Sequence, residues 1–519
     1  MQTIKRLFRV DRRDINYLRT TIESYDGMAV VSTLDPSQAY LEIRISPGCE
    51  QFILELLDSL REEGLDLVQK KRLNSTKVMQ NKTFYIKTMG CQMNEYDSDF
   101  LAQSLISSGF SPVDNSKYAD IILINTCTVR AKPEQKAFSL LGRMSELKQE
   151  NPGLIMGVVG CLAQQKGHEL MKRFPQLDFV MGPRELGRIK EVLRRIDTDG
   201  EKIVATHLEP GPPQPVTCQG YFGGRVTGYL SIMEGCNNFC SYCIVPYVRG
   251  REISRSPEEI MIEAKNLISE GIKEITLLGQ NVNSYRWEGV EKWNFVSLLR
   301  EITKLDGLLR LRFTTSHPKD LSEQLIQCFG DLDKLCPHIH LPFQAGSNPV
   351  LERMKRGYTR EKYIELIEKL RTVRSDIGIT SDVMVGFPGE SEQDFDMTLN
   401  LIKRVQFDSL FSFKYSDRKV TLAAKMGDKV SEADKSSRLS VLQSLQKQIS
   451  LKKNRALEGK RLEVLVEGYS KRGGQISGRA GSNKTVNFTG DNSSIGKLVT
   501  VTINHGFLNS LHGKLALGK

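Results

Sequence analysis

Between Tyr229 and Tyr415 six short apolar runs, at 229–234, 274–279, 310–315, 338–343, 379–386 and 408–414, are separated by segments long enough to hold a helix. Strands joined by such crossovers lie parallel in one sheet. Six strand–helix repeats fall two short of a closed eightfold barrel, so the pattern predicts a partial (β/α)6 barrel with its chemistry at the C-terminal ends of the strands.

A chain of 519 residues is too long for one core, and the remainder divides by pattern. Residues 1–76 read as strand 3–10, helix 12–25, strands 28–34 and 38–46, helix 50–63 and strand 65–70, an order that predicts a ferredoxin-like α+β module. Its role reads as docking or assembly. Lys77 to Lys82 is polar and reads as a linker. Over 82–208 apolar runs (Phe84 to Ile86, Ile121 to Ile124, Leu154 to Val159) alternate with amphipathic stretches, the pattern of a parallel α/β domain. The proline-rich stretch Glu209 to Pro215 marks a boundary, after which 222–453 forms the barrel domain. That domain closes with a long helix at about 431–456, where Leu439, Leu442, Leu445 and Ile449 recur at helical spacing. Over 454–519 the apolar period falls to two and glycine-rich turns appear, which predicts a small β-barrel. The fold class is α/β overall.

No apolar run approaches the roughly 18 residues that cross a bilayer. The N-terminus runs from basic residues straight into Asp11-Arg12-Arg13-Asp14 without an apolar signal core. The expectation is a soluble, cytoplasmic protein without a membrane partner. Lys and Arg number 73 against 62 Asp and Glu, a net charge of +11 and a pI near 9.0, which favours polyanionic partners. From Arg455 to Lys519 ten Lys/Arg face four Asp/Glu, so six of the eleven surplus charges sit in the last module. Ten cysteines in such a chain read as thiols or metal ligands, not as a disulfide framework.

Cys236-Asn-Asn-Phe-Cys240-Ser-Tyr-Cys243 sets three thiols in one loop directly after the first barrel strand. Three soft thiolates so placed suit iron–sulfur or zinc chemistry. A zinc ribbon needs a second close pair, and no other Cys-x-x-Cys exists in the chain. Three thiolates on a four-iron cube leave one iron open to a chelating molecule. Cys91, Cys127 and Cys161 lie far apart in sequence, yet each follows a predicted strand. In a parallel sheet such positions share one edge, where open α/β sheets bind ligands, so a second three-thiolate site is expected, with independent core cysteines as the alternative. Gly90 and Gly160 would let the backbone approach a bulky cluster. Cys49, Cys218, Cys328 and Cys336 lack this placement and read as idle thiols.

These cysteines belong to a larger set of segments: Thr88-Met-Gly-Cys-Gln-Met-Asn-Glu-Tyr-Asp-Ser98, Asn125-Thr-Cys-Thr-Val-Arg130, Gly160-Cys161, Ile244-Val-Pro-Tyr-Val-Arg-Gly250, Leu277 to Tyr285, Arg312-Phe-Thr-Thr-Ser-His-Pro318, His340 to Ser347 and Ser381 to Glu390. Over about 83–519 the set resembles the radical S-adenosylmethionine (SAM) methylthiotransferases. The resemblance implies an N-terminal auxiliary-cluster domain, a radical-SAM barrel and a C-terminal TRAM domain that binds RNA. It implies two 4Fe-4S clusters, the radical-generating one on Cys236, Cys240 and Cys243 and the auxiliary one on Cys91, Cys127 and Cys161. SAM on the open iron would be cleaved to a 5′-deoxyadenosyl radical, and a second SAM would donate the methyl group. The implied product carries a methylthio group at C2 of N6-isopentenyladenosine beside the tRNA anticodon. The implied partners are that anticodon stem-loop and an electron donor such as flavodoxin or ferredoxin. The same chemistry on threonylcarbamoyladenosine tRNA or on a ribosomal-protein aspartate, and a non-catalytic iron–sulfur RNA-binding protein, stay open on sequence alone. Residues 1–76 lie outside the family architecture, and Arg418-Lys419-Val420-Thr421 replaces its usual Arg-Pro-Gly-Thr turn.

Beside the cysteines, Tyr242, Gly279, Gln280, Gln344, Asp382, Gly386 and Glu390 are candidates for holding SAM at the barrel rim, against ordinary roles as strand-end caps and loop packing. Ser316 and His317 lie next to that rim, and a lone histidine is more often structural than catalytic. For RNA the candidates are Lys460, Arg461, Lys471, Arg472, Arg479, Lys484 and Lys497, with Phe488 and Phe507 as stacking groups. The alternative is a solvated basic surface.

Overall fold

The structure, a computed structural model, describes residues 4–25, 27–35, 39–70, 82–128, 131–208, 218–470 and 473–516. The expected linker before Lys82, the proline-rich stretch after Leu208, and Lys471 and Arg472 lie outside the described residues. The chain forms two compact units, 1–80 and 81–519.

The first unit runs β1 (Ile4–Arg9), α1 (Ile15–Glu23), β2 (Ala29–Asp35), β3 (Tyr40–Ile45), α2 (Glu50–Glu62) and β4 (Val68–Lys70). Its antiparallel sheet has the order β2-β3-β1-β4, the ferredoxin-like arrangement. Alternation along the strands sends Phe8, Val31, Leu41 and Ile43 against Leu18, Ile22, Ile53 and Leu57 of the helices.

The second unit opens with β5 (Thr83–Met89), α3 (Gln92–Ile106), β6 (Ser111–Pro112), β7 (Ile121–Thr126), α4 (Ala131–Glu150), β8 (Ile155–Val159), α5 (Cys161–Arg173), β9 (Phe179–Met181), α6 (Ile189–Asp199) and β10 (Ile203–Ala205). The strands form one parallel sheet in the order β10-β9-β8-β7-β5-β6. Every residue of β7 and β8 is buried, as expected of strands covered on both faces.

The barrel follows: β11 (Thr227–Ser231), β12 (Met233–Glu234), α7 (Val245–Val248), β13 (Ile253–Ser254), α8 (Pro257–Ser269), β14 (Glu274–Leu278), β15 (Arg286–Glu288), β16 (Lys292–Asn294), α9 (Phe295–Thr303), β17 (Arg310–Phe313), α10 (Glu323–Asp331), β18 (His338–His340), α11 (Asn348–Arg353), α12 (Arg360–Val373), β19 (Gly378–Val385), α13 (Glu392–Val405) and β20 (Ser409–Lys414). Strands β11, β14 and β17 pair in parallel, as do β18, β19 and β20, and a bridge from Leu311 to Leu335 joins the halves. Period two divides each strand. Ile275, Leu277, Leu311, Ile379 and Val383 pack outward under the helices, while Glu274, Thr276, Arg312, His338, His340, Thr380 and Asp382 face the lumen. Complete barrels of this type fill that space with branched apolar side chains; here it is polar and open.

Helix α14 (Glu432–Arg455) leads into β21 (Arg461–Tyr469), β22 (Ile476–Ala480), β23 (Thr485–Thr489), β24 (Leu498–Gly506) and β25 (Leu511–Leu515), a closed barrel in the order β21-β22-β23-β25-β24. This small barrel sits across the N-terminal ends of the large barrel's strands. Arg310 donates to the carbonyls of Glu463 and Arg479, and Arg312 to those of Ala480 and Gly481. Lys484 pairs with Asp408 at 2.8 Å, just before β20. Among the described residues no helix is long and apolar enough to cross a membrane.

Candidate active site

The loop carrying Cys236, Cys240 and Cys243 is framed by the antiparallel pair β12 and β13. Gly235 opens it at φ +83°, where a Cβ would stand 2.1 Å from the Arg251 carbonyl, so only glycine fits. Ser241 fastens the loop's far side, its N–H donating to Met354 O at 3.0 Å and its hydroxyl to Arg353 O at 2.8 Å. The buried Arg356 reaches in from behind, donating to Cys240 Sγ at 3.4 Å, to Tyr242 Oη at 3.4 Å and to Pro342 O at 2.9 Å. Burial pushes Cys236 up to about 11 and Cys243 up to about 12. The substituted turn at 418–421 closes by Thr421 N–H donating to Arg418 O at 2.8 Å, and Ala423 beyond it donates to Ser241 O at 2.8 Å. The chain just beyond the turn is thus fastened to the cysteine loop.

Cys91, Cys127 and Cys161 stand at the ends of the neighbouring strands β5, β7 and β8, as their sequence positions predict. Below them lies an amide pair that sequence reading missed. Asn94 Nδ2 donates to Asn125 Oδ1 at 2.9 Å, and Asn125 Nδ2 donates back to Asn94 O at 2.8 Å and to Ser98 Oγ at 2.9 Å, all buried. A Cβ on Gly90 would stand 2.2 Å from Asn94 Oδ1, and one on Gly160 would stand 2.5 Å from Asn125 Oδ1. Both glycines thus make a close approach to these amides that a side chain would block. A hydrogen bond from the Cys127 thiol draws Cys91 down to about 6, whereas burial pushes Cys161 up to about 11.

All six thiols line one cavity of about 860 Å³ that continues through the barrel lumen to the small barrel. The two sets adjoin directly, since Cys161 packs against Ile244 and Val248, which follow Cys243. Tyr242, Gly279, Gln280, Gln344 and Asp382 line the same cavity. Gln280 Oε1 accepts the Gly235 N–H, so it braces the cysteine loop, and its amide nitrogen remains for a ligand. Gln344, at φ +66°, bridges into β19, donating to Asp382 O at 3.0 Å and accepting from Met384 N at 2.9 Å. Gly386 and Glu390 are not among the lining residues: Glu390 Oε1 accepts from Gly386 N at 2.9 Å and from Arg438 Nη1 at 2.8 Å, tying the turn after β19 to α14. Ser316 and His317 line the cavity with Ser316 Oγ and His317 Nε2 buried and unpartnered. His317 Nδ1 accepts the Lys319 N–H at 3.2 Å, and burial pushes the ring down to about 2, so it is neutral and carries its proton on Nε2.

At the far end, Arg479 and Lys484 also line the cavity and serve the junction between the barrels, Arg479 bonding Glu467 at 2.9 Å and Lys484 bonding Asp408 and Asn454. Lys460, Arg461 and Lys497 are exposed. Phe488 is fully buried in the small barrel's core, which corrects its reading as a stacking group; Phe507 is 55% exposed.

Among the described residues no three His, Cys, Asp or Glu side chains could share a single metal ion. A four-iron cube takes one thiolate at each of three corners, and each set supplies three thiols on the wall of the one cavity. A six-stranded partial barrel with three thiols in the loop after its first strand, and three more from a parallel α/β domain on the wall of the same cavity, is an arrangement suited to iron–sulfur chemistry beside a barrel lumen.

Comparison with known proteins agrees. The chain matches the models of the uncharacterized protein family UPF0004 over 83–182, the radical SAM superfamily over 230–402 and the TRAM domain over 455–516. Residues 8–63 match a domain of unknown function, DUF4911. A tRNA-2-methylthio-N(6)-dimethylallyladenosine synthase of Syntrophus aciditrophicus is 50% identical over 84% of this chain and 95% of its own length. That of Geobacter metallireducens is 48% identical over 84% and 99%. The solved radical SAM methyltransferase TsrM of Kitasatospora setae is 16% identical with a TM-score of 0.49, covering 66% of this chain and 77% of that one, too loose a likeness to inform the site. The chain belongs to the tRNA-2-methylthio-N(6)-dimethylallyladenosine synthase family.

Proposed function

We propose that the protein transfers a methylthio group to C2 of N6-isopentenyladenosine beside the anticodon of tRNA. The observation that carries this reading is the single cavity that receives both thiol sets, because a sulfur-bearing centre must stand beside the radical source for the two to act on one carbon. Cys236, Cys240 and Cys243 would hold the cluster that binds SAM, and Cys91, Cys127 and Cys161 the auxiliary cluster. When bound, these groups supply the radical that removes the C2 hydrogen and the methylthio group that replaces it.

The protein's own residues bind and orient. Arg356 and Gln280 fix the cysteine loop; Tyr242, Gln344, Asp382, Ser316 and the Nε2–H of His317 offer the surrounding wall. Lys460, Arg461 and Lys497 are exposed cations of the small barrel that would meet RNA phosphate, and the exposed Phe507 offers a stacking group. An unpaired anticodon-loop base can turn into such a cavity at small cost. A flavodoxin- or ferredoxin-class protein would supply electrons, and the setting would be the cytoplasm.

Anaerobic reconstitution with SAM, reductant and isopentenylated anticodon stem-loop, followed by mass spectrometry of the digested nucleosides, tests this. The expected product is 2-methylthio-N6-isopentenyladenosine. Formation of 5′-deoxyadenosine over an unmodified nucleoside would refute the substrate, and its absence with both clusters loaded would refute catalysis. Cys91→Ala is expected to keep SAM cleavage and stop methylthiolation.

A further inference from the structure

Arg249 is the side chain through which the two thiol sets meet. It is 3% exposed, and its Nη1 donates to Glu234 Oε1 at 2.8 Å while Nη2 donates to Asp97 Oδ2. Asp97 lies on α3, the helix that Cys91 caps; Glu234 precedes Cys236 by two residues. The same guanidinium acts electrostatically on the Cys161 thiol, which packs against Val248, the residue just before Arg249. Burying an arginine and two carboxylates costs several kcal/mol per ion in lost hydration. An apolar contact between the domains would avoid that cost, so the arrangement calls for a role beyond packing. Arg184, from the turn after β9, acts on Glu234 electrostatically and donates to Leu208 O at 3.1 Å and to Arg251 O, so the triad is held on both sides of the junction.

We propose that Arg249 is a positioning residue for the auxiliary centre: gripped by Asp97 and Glu234, it fixes a positive charge against the Cys161 sulfur and thereby favours the reduced, more negative state of the iron–sulfur centre which that sulfur binds. Hydrogen bonds to ligand sulfurs and the net charge around a cluster are what set its potential. The inference rests on Cys91, Cys127 and Cys161 being cluster ligands.

The test uses the full chain carrying Cys236→Ala, Cys240→Ala and Cys243→Ala, so that only the auxiliary centre assembles. Iron and sulfide are counted after reconstitution, and reduction is followed by electron paramagnetic resonance against applied potential. Arg249→Gln is expected to shift the midpoint to more negative potential, and Arg249→Lys to recover most of the shift. Asp97→Asn and Glu234→Gln, which remove an anion and keep the arginine, are expected to shift it the opposite way. General loosening of the junction does not produce opposite signs at one node, and these two variants carry the test if Arg249→Gln does not fold. A midpoint and line shape unchanged in Arg249→Gln, or shifts of one sign in all four variants, would overturn the inference alone. If the parent variant binds no iron, the ligand assignment fails, and the inference falls with it.

Discussion

Cys91 and Cys161 face the same cavity, yet local contacts set their proton affinities far apart. Cys91 is exposed on the wall and drawn down to about 6 by the Cys127 thiol, while burial holds Cys161 near 11. A thiol lowered this way is largely thiolate at neutral pH and loses that character as pH falls through its own value. In metal-free protein, iodoacetamide at about pH 7 should therefore modify Cys91 ahead of the other five site cysteines, and the preference should fade toward about pH 5. Peptide mass spectrometry after brief exposure checks this; equal labelling of Cys91 and Cys161 would refute it. At this scale the sequence shows the thiols and hides what holds them. Cys-x3-Cys-x2-Cys is legible because its spacing is local, and Cys91, Cys127 and Cys161 because each ends a strand. Asn94, Asn125, Arg249 and Arg356 sit within or near the quoted segments, but only tertiary packing reveals that their side chains are buried on the cysteines.

Glu390 and Arg438 show how one element borrows order from another. The carboxylate closes the turn after β19 through the Gly386 N–H, and α14 supplies the compensating guanidinium. Removing one partner leaves a buried charge, so Arg438→Met should cost about 3 kcal/mol. Burial already holds the Glu390 carboxyl above the usual carboxylate range, and loss of Arg438 raises it further. A raised carboxyl takes up a proton in the folded state, so the deficit should be larger at about pH 8 than at about pH 5.5. Thermal unfolding midpoints at the two values would show it, and a deficit that grows on acidification would count against the pairing. The long elements were legible: the helix expected at 431–456 is α14, and the six barrel strands fall where the apolar runs lie. Strands β6, β9 and β10 were not, because two or three residues give no period to detect. The polar lumen was hidden for a related reason. Runs read as apolar strands carry their charged members on alternate positions, as Arg310 and Arg312 do around Leu311.

Across the molecule, the last module is a wall of the cavity as well as a basic surface. Gly378, the first residue of β19, lies where a Cβ would stand 2.7 Å from the Ser482 carbonyl, and its φ is not in the left-handed region, so a side chain there is excluded by the small barrel alone. Gly378→Val should leave circular dichroism unchanged while speeding hydrogen exchange at residues 479–485. Exchange unaltered there would mean that the two barrels do not press on each other as described. The placement of the small barrel also has a consequence in time. A ribosome delivers the six cysteines well before it delivers β21 to β25, so the vessel is made with its base open. Iron and sulfide loaded onto the growing chain would meet water from below, and the protected chamber exists only once the final strands have closed beneath it. Closure of the cavity at this end therefore waits on strands made after all six cysteines.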